Sequence, residues 1–243
     1  MSNTRRLPAG PPSSPVETPP TGQKTRLIVT VTIALVLVAV GAFAVFQATR
    51  PAATVAVPSP SVTGAQSGIL VRADSRRLND VPNAKATFVE FLDFECEACG
   101  AIFPAIEQLR GTYGDRVSFV IRYFPIRSHF NAQRAAQAVE AAAQQGKLEA
   151  MYTKMYQAQK EWAEQQVPKD DVFRQYAQEL GLDMGKWDAA YNSKETLERI
   201  QRDTDDGTAL GVQGTPTFFF NGKLIEPKQM SDLTRAFDQA LAE

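Results

Sequence analysis

The chain has 243 residues, with 26 Lys and Arg against 27 Asp and Glu and a formal net charge of −1. That balance excludes a nucleic-acid binder, which would carry a basic excess or a basic stripe. The two cysteines stand three positions apart, which excludes a secreted fold stapled by disulfides spread along the chain.

Residues 1–26 are rich in Pro, Ser, Thr and Gly and lack apolar periodicity, so they read as a disordered tail. Leu27 to Phe46 (LIVTVTIALVLVAVGAFAVF) carries no charge and no polar face. About 20 such residues in a helix span a hydrocarbon core of about 30 Å. A signal-peptide core is shorter, about 7–15 residues, so a permanent transmembrane helix is favoured over a cleaved leader, although Ala42-Phe43-Ala44 resembles a cleavage site. Arg5, Arg6, Lys24 and Arg26 precede the segment, and after it Arg50 is the only basic residue for some distance. The positive-inside rule then leaves the N-terminus in the cytoplasm and everything after Phe46 outside it. Residues 47–68 read as a linker between membrane and domain.

The folded part is expected from Ile69. Ala86–Leu92 (ATFVEFL) is β-branched and aromatic and predicts a buried strand. Ile102, Phe103, Ile106 and Leu109 predict a helix kinked at Pro104, and Val117–Phe124 a second strand. Strand, helix and strand in this order form a right-handed parallel unit. Alanines from Ala132 to Ala143 line one face of a further helix stopped by Gly146, and helices follow around Met151 and Phe173, the latter ended by Gly181. Asp183 and Ser193 are read as N-caps of two more. Thr217–Phe220 predicts a strand, Asn221-Gly222 a type I′ hairpin turn, Lys223–Glu226 its partner, and Leu233, Ala236, Phe237 and Ala240 a last helix.

Cys96-Glu97-Ala98-Cys99 falls where the first strand hands over to the helix. A helix N-terminus presents unpaired N–H groups and the positive end of the dipole, which favour a thiolate at Cys96. Cys99, one turn on, lies on the same side within disulfide reach. The first sulfur can attack a partner and the second resolve the mixed disulfide. A zinc site needs about four ligands, and the chain offers two cysteines and one histidine, His129. No metal and no cofactor are therefore expected. A structural disulfide closing so short a loop contributes only about 2 kcal/mol. Gly214-Thr215-Pro216-Thr217 directly precedes a strand; a cis Thr215–Pro216 bond would expose the Thr215 backbone to a docking peptide.

The segments FLDFECEAC, RYFPIRSHFNAQRAA and GVQGTPTFFFNG together resemble the DsbA-type branch of the thioredoxin superfamily, from about Val81 to the C-terminus. The resemblance implies an α/β thioredoxin fold, with parts 69–127 and 207–243 interrupted by an all-helical insertion at 128–206. It implies Cys96 as nucleophile, Cys99 as resolving thiol, Pro216 as a cis-proline facing them with Thr215 before it, and Glu90 as a buried acid that moves a proton at the inner cysteine. Glu97-Ala98 replaces the Pro-His of strongly oxidising members, and the Glu97 charge is expected to disfavour the thiolate. His129 is expected to cap the insertion helix. The reading that follows is a membrane-tethered oxidoreductase outside the cytoplasm. It oxidises cysteine pairs of exported proteins and is recharged by a membrane redox partner. A reductase or isomerase, and a non-catalytic peptide-binding module, are the alternatives.

Overall fold

The computed structural model describes residues 65–79 and 81–242. The expected tail, transmembrane helix and linker as far as residue 64 lie outside the described residues. Among the described residues no helix is long and apolar enough to cross a membrane. The linker expected to run to 68 ends sooner, because α1 (Ala65–Leu70) already belongs to the domain and buries Leu70.

The described residues form one five-stranded sheet. β1 (Arg76–Arg77) is followed by β2 (Ala86–Leu92), α2 (Glu97–Tyr113) and β3 (Val117–Tyr123). β2 and β3 run parallel in register from Ala86 opposite Val117 to Leu92 opposite Tyr123. α2 is therefore the crossover of the expected parallel unit, and it passes through Pro104 as one helix. β4 (Thr217–Phe220) pairs antiparallel with β2, and β5 (Lys223–Ile225) with β4, giving the order β1-β3-β2-β4-β5. The β4–β5 turn has positive φ at Asn221 (45°) and Gly222 (78°), as a type I′ hairpin requires.

The pleat sorts β2 by parity. Phe88 and Leu92 belong to one core with α2, the helical insertion and α9 (Met230–Ala242), while Val89 and Phe91 belong to a second core with Leu70, Val120, Val212 and Phe219. Phe237 of α9 closes the first core, with ring centroids 4.6 Å from Phe220 and 5.1 Å from Phe88. Glu90 shares the parity of Phe88 and Leu92, which turns its carboxyl toward the α2 side.

Between β3 and β4 lie α3 (Ala132–Ala143), α4 (Leu148–Gln157), α5 (Gln159–Trp162), α6 (Asp170–Glu179), α7 (Met184–Tyr191) and α8 (Lys194–Ala209). Their ends follow the sequence closely. Gly146 (φ 71°) and Gly181 (φ 70°) close Schellman turns, with Lys147 N–H donating to Ala142 O and Leu182 N–H to Ala177 O. Asp183 and Ser193 cap α7 and α8 by accepting from the Lys186 and Thr196 amides. The expected insertion boundary at 206 falls inside α8, which runs on to Ala209 and packs against β3. The reason is an ion cluster. Arg122, fully buried on β3, donates to Asp203 at 2.7 Å and Asp206 at 2.5 Å, so both acids must stay on the helix.

Candidate active site

β2 ends at Leu92, and the next three residues build a turn that delivers Cys96. The Asp93 carboxylate accepts from the Glu95 amide at 2.8 Å, and the Asp93 carbonyl from the Cys96 amide at 3.2 Å. Cys96 then takes the N-cap position of α2 with extended backbone (φ −65°, ψ 121°). Phe94 is buried against Tyr123, Tyr152 and Tyr156, which fixes the turn from below. The helical insertion clasps it from the side. The Gln159 side-chain amide donates to the carbonyls of Phe94 and Cys96, each at 2.8 Å. Gly100 makes that approach possible, since a Cβ there would sit 1.9 Å from Gln159 Oε1. Glu95, 1 % exposed, accepts from the Asn131 amide at 2.5 Å and the Glu164 amide at 3.2 Å.

The two thiols are not equivalent. Cys96 retains 9 % exposure and Cys99 only 1 %, so an outside sulfur reaches Cys96. The Cys96 thiol is lowered to about 5: the Cys99 S–H donates to it, burial opposes, and Thr215 and the Cys99 and Ala98 amides of the helix N-terminus add further donors. As a thiol, Cys96 donates to the Thr215 carbonyl at 3.3 Å. The Thr215 side chain favours the thiolate, and its buried hydroxyl has no hydrogen-bond partner among the described residues. Cys99 is pushed well above the usual thiol value by burial, by its bond to Cys96 and by the charge of Glu90. Glu97 is exposed, and the largest influences on Cys96 are the Cys99 thiol, burial, Thr215 and the helix amides. Solvent screens a charge on the open side, whereas the donors on the buried side act at contact.

Glu90 is 3 % exposed and raised to about 8, first by burial and then by the charges of Glu107 and Cys96. The Thr215–Pro216 bond is cis. Its Thr215 carbonyl is engaged by Cys96 instead of standing free, as the sequence led us to expect. Beside it lies an open groove of about 810 Å³, with Ile102, Pro216, Phe218, Leu224 and Pro227 among its lining.

His129 does not cap the insertion helix. Asn131 holds the N-cap position, and His129 Nδ1 lies 2.7 Å from Asp93 Oδ2. Asp93, Glu95, Asn131 and Gln159 are the parts of the site that sequence reasoning missed. No periodicity marks them: two acids after a strand read as an ordinary polar turn, and Gln159 lies 63 residues from the Cys96 carbonyl it holds. Among the described residues no group of three or more His, Cys, Asp or Glu could hold a metal ion.

The thioredoxin family model matches residues 81–239. Among solved structures, a thioredoxin-like oxidoreductase from Silicibacter pomeroyi is 25% identical, with a TM-score of 0.62 over 74% of this chain and 99% of that one. Alpha-DsbA1 of Wolbachia pipientis is 17% identical and shares the fold, with a TM-score of 0.64 over 74% and 96%. A curated relative, a Na(+)/H(+) antiporter NhaA of Mycolicibacterium gilvum, is 36% identical over 163 residues, which is 65% of this chain and 25% of that protein. The chain thus spans about a quarter of the length of the curated relatives it matches, and ion transport is said of them alone.

Proposed function

We infer a function from the premise that this chain belongs to the thioredoxin family and is a DsbA-like thiol–disulfide oxidoreductase. The reading is a dithiol oxidase that acts on cysteine pairs of exported proteins. It is tethered outside the cytoplasm by the apolar segment 27–46, with the basic residues before that segment setting its orientation. A membrane redox partner would restore the disulfide.

The observation that carries this reading is the asymmetry of the thiols, one lowered to about 5 and its neighbour pushed well above the usual value. In the oxidised protein a substrate thiolate attacks Cys96 Sγ. The Cys96–Cys99 bond breaks, Cys99 leaves with the electron pair, and the Glu90 carboxyl is the nearby buried acid able to give it a proton. A second substrate thiolate then attacks the substrate sulfur of the mixed disulfide and expels Cys96 as a thiolate. The substrate has lost two electrons to the Cys96–Cys99 pair. Expulsion is fast because a thiol of low pKa is a good leaving group, and the same low pKa stabilises the reduced protein, which drives oxidation of the substrate. The groove beside Pro216 suits an extended peptide presenting its cysteine to Cys96.

Trapping in intact cells tests this. Cys99→Ser should accumulate mixed disulfides through Cys96, Cys96→Ser should accumulate none, and the trapped partners should be exported proteins. Equal trapping by both variants would reverse the roles of the two cysteines, and cytoplasmic partners would overturn the orientation.

A further inference from the structure

The mechanism above leaves one buried pair unused, Asp93 with His129. Asp93 is 1 % exposed, yet its carboxylate is the joint of the whole entry turn. Oδ1 accepts from the Glu95 amide, and Oδ2 accepts from the Ile126 amide at 2.9 Å while facing His129 Nδ1. The Asp93 carbonyl holds the Cys96 amide, so the imidazole is joined through Asp93 to the backbone that carries the nucleophile. The His129 ring is partly open to solvent, with 22% of its side chain exposed, so it can exchange a proton. The imidazole contacts the Asp93 carboxylate from the turn after β2, and the further charges that act on it are Cys96 at the start of α2 and Glu164 from the loop after α5. Glu95, in the same turn, is engaged by the Asn131 and Glu164 amides.

We propose that His129 is a positioning residue for the nucleophile: its imidazolium, fixed against Asp93, supplies from the β3–α3 loop a positive charge that favours the Cys96 thiolate. The inference rests on Cys96 as the exchanging thiol. Burial is the largest single influence and works against a charged imidazole, but the bond to Asp93, the Asp93 charge, Cys96 and Glu164 together outweigh it and raise His129 above the usual histidine value. A histidine and a thiolate that favour each other's charged forms must do so reciprocally, so the imidazole titration has to depend on the redox state of the cysteines.

His129 is the only histidine in the chain, so its ring signal in a proton NMR titration is unambiguous. The full-length protein in detergent should be titrated oxidised and reduced. The expected result is a higher His129 pKa in the reduced form, where Cys96 is a thiolate, than in the disulfide form, where it carries no charge. In parallel, His129→Gln keeps a side-chain donor for Asp93 and removes the charge. Its Cys96 thiolate absorbance should titrate about tenfold weaker, a rise of about one pH unit, with an unchanged far-UV spectrum. Identical His129 titrations in the two redox forms would overturn the proposal, and so would superimposable Cys96 titrations of His129→Gln and the natural protein. The failure of the underlying reading looks different: alkylation at pH 7 would then modify Cys99 in preference to Cys96, whatever stands at 129.

Discussion

A carboxyl in the middle of a sheet must be neutral or paired, and Glu90 Oε2 has no hydrogen-bond partner among the described residues. Its folded-state value of about 8 lies far above the ordinary 4.5. For an acid raised on folding, the contribution to stability is fully present below the unfolded value and is lost as pH rises through the folded one. The window therefore runs from about pH 4.5 to 8. Glu90→Gln, which cannot ionise, should match the natural protein at pH 4 and exceed it at pH 8 by about 2–4 kcal/mol, read from urea midpoints at the two pH values. Equal stabilities at pH 8 would mean that the carboxyl is solvated. The same variant should slow thiol exchange, because Cys99 loses its nearest acid. At this scale the sequence was legible wherever chemistry depends on residue type and local spacing. Cys96 and Cys99 needed only the strand-to-helix junction, while Glu90 came from the family resemblance. Asp93 and His129 were not legible as a pair, because their meeting depends on how the β3–α3 loop folds back.

The elements divide along a similar line. β2, α2, β3 and the β4–β5 hairpin announce themselves through apolar runs and turn residues that demand positive φ. β1 is two arginines, with no alternation to betray a strand, and it exists because Arg76 pairs with the buried Glu140 and lies opposite Ile121. The insertion boundary drawn at 206 falls within α8, whose last turns are held by Arg122, a contact with no signature in local sequence. Arg122 also donates to the Ile69 and Leu70 carbonyls at 2.6 Å, so one guanidinium joins α1, β3 and α8. Arg122→Met would leave Asp203, 0 % exposed, with Arg199 as its remaining ion-pair partner among the described residues and strip Asp206 of its buried partner. The expected loss is about 3–5 kcal/mol, typical of breaking one side of a buried pair. Chemical denaturation at pH 7 checks this, and a loss below about 1 kcal/mol would show that the acids simply find water.

For the molecule as a whole, the fold follows from the order of elements, but the redox poise does not follow from the motif alone. Reading Glu97-Ala98 by itself suggests a weakened thiolate, yet the folded protein collects donors from Cys99, Thr215 and the helix N-terminus and holds Cys96 near 5. That lies between a thioredoxin thiol at about 7 and a strongly oxidising one at about 3.5. The reduction potential should accordingly fall between about −270 and −120 mV, measured by equilibration with glutathione. A value at or below the lower bound would favour the reductase reading. The grip of Arg122 on residues 69 and 70 bears on something other than chemistry. It fixes where force enters the fold. A pull on the chain from the side of Ala65 is passed by those two carbonyls to β3, an interior strand bonded on both flanks, and not to an edge strand that could peel away bond by bond. A partner that tugs on a substrate joined to Cys96 loads the start of α2, beside β2. Both loads therefore meet on the central parallel pair.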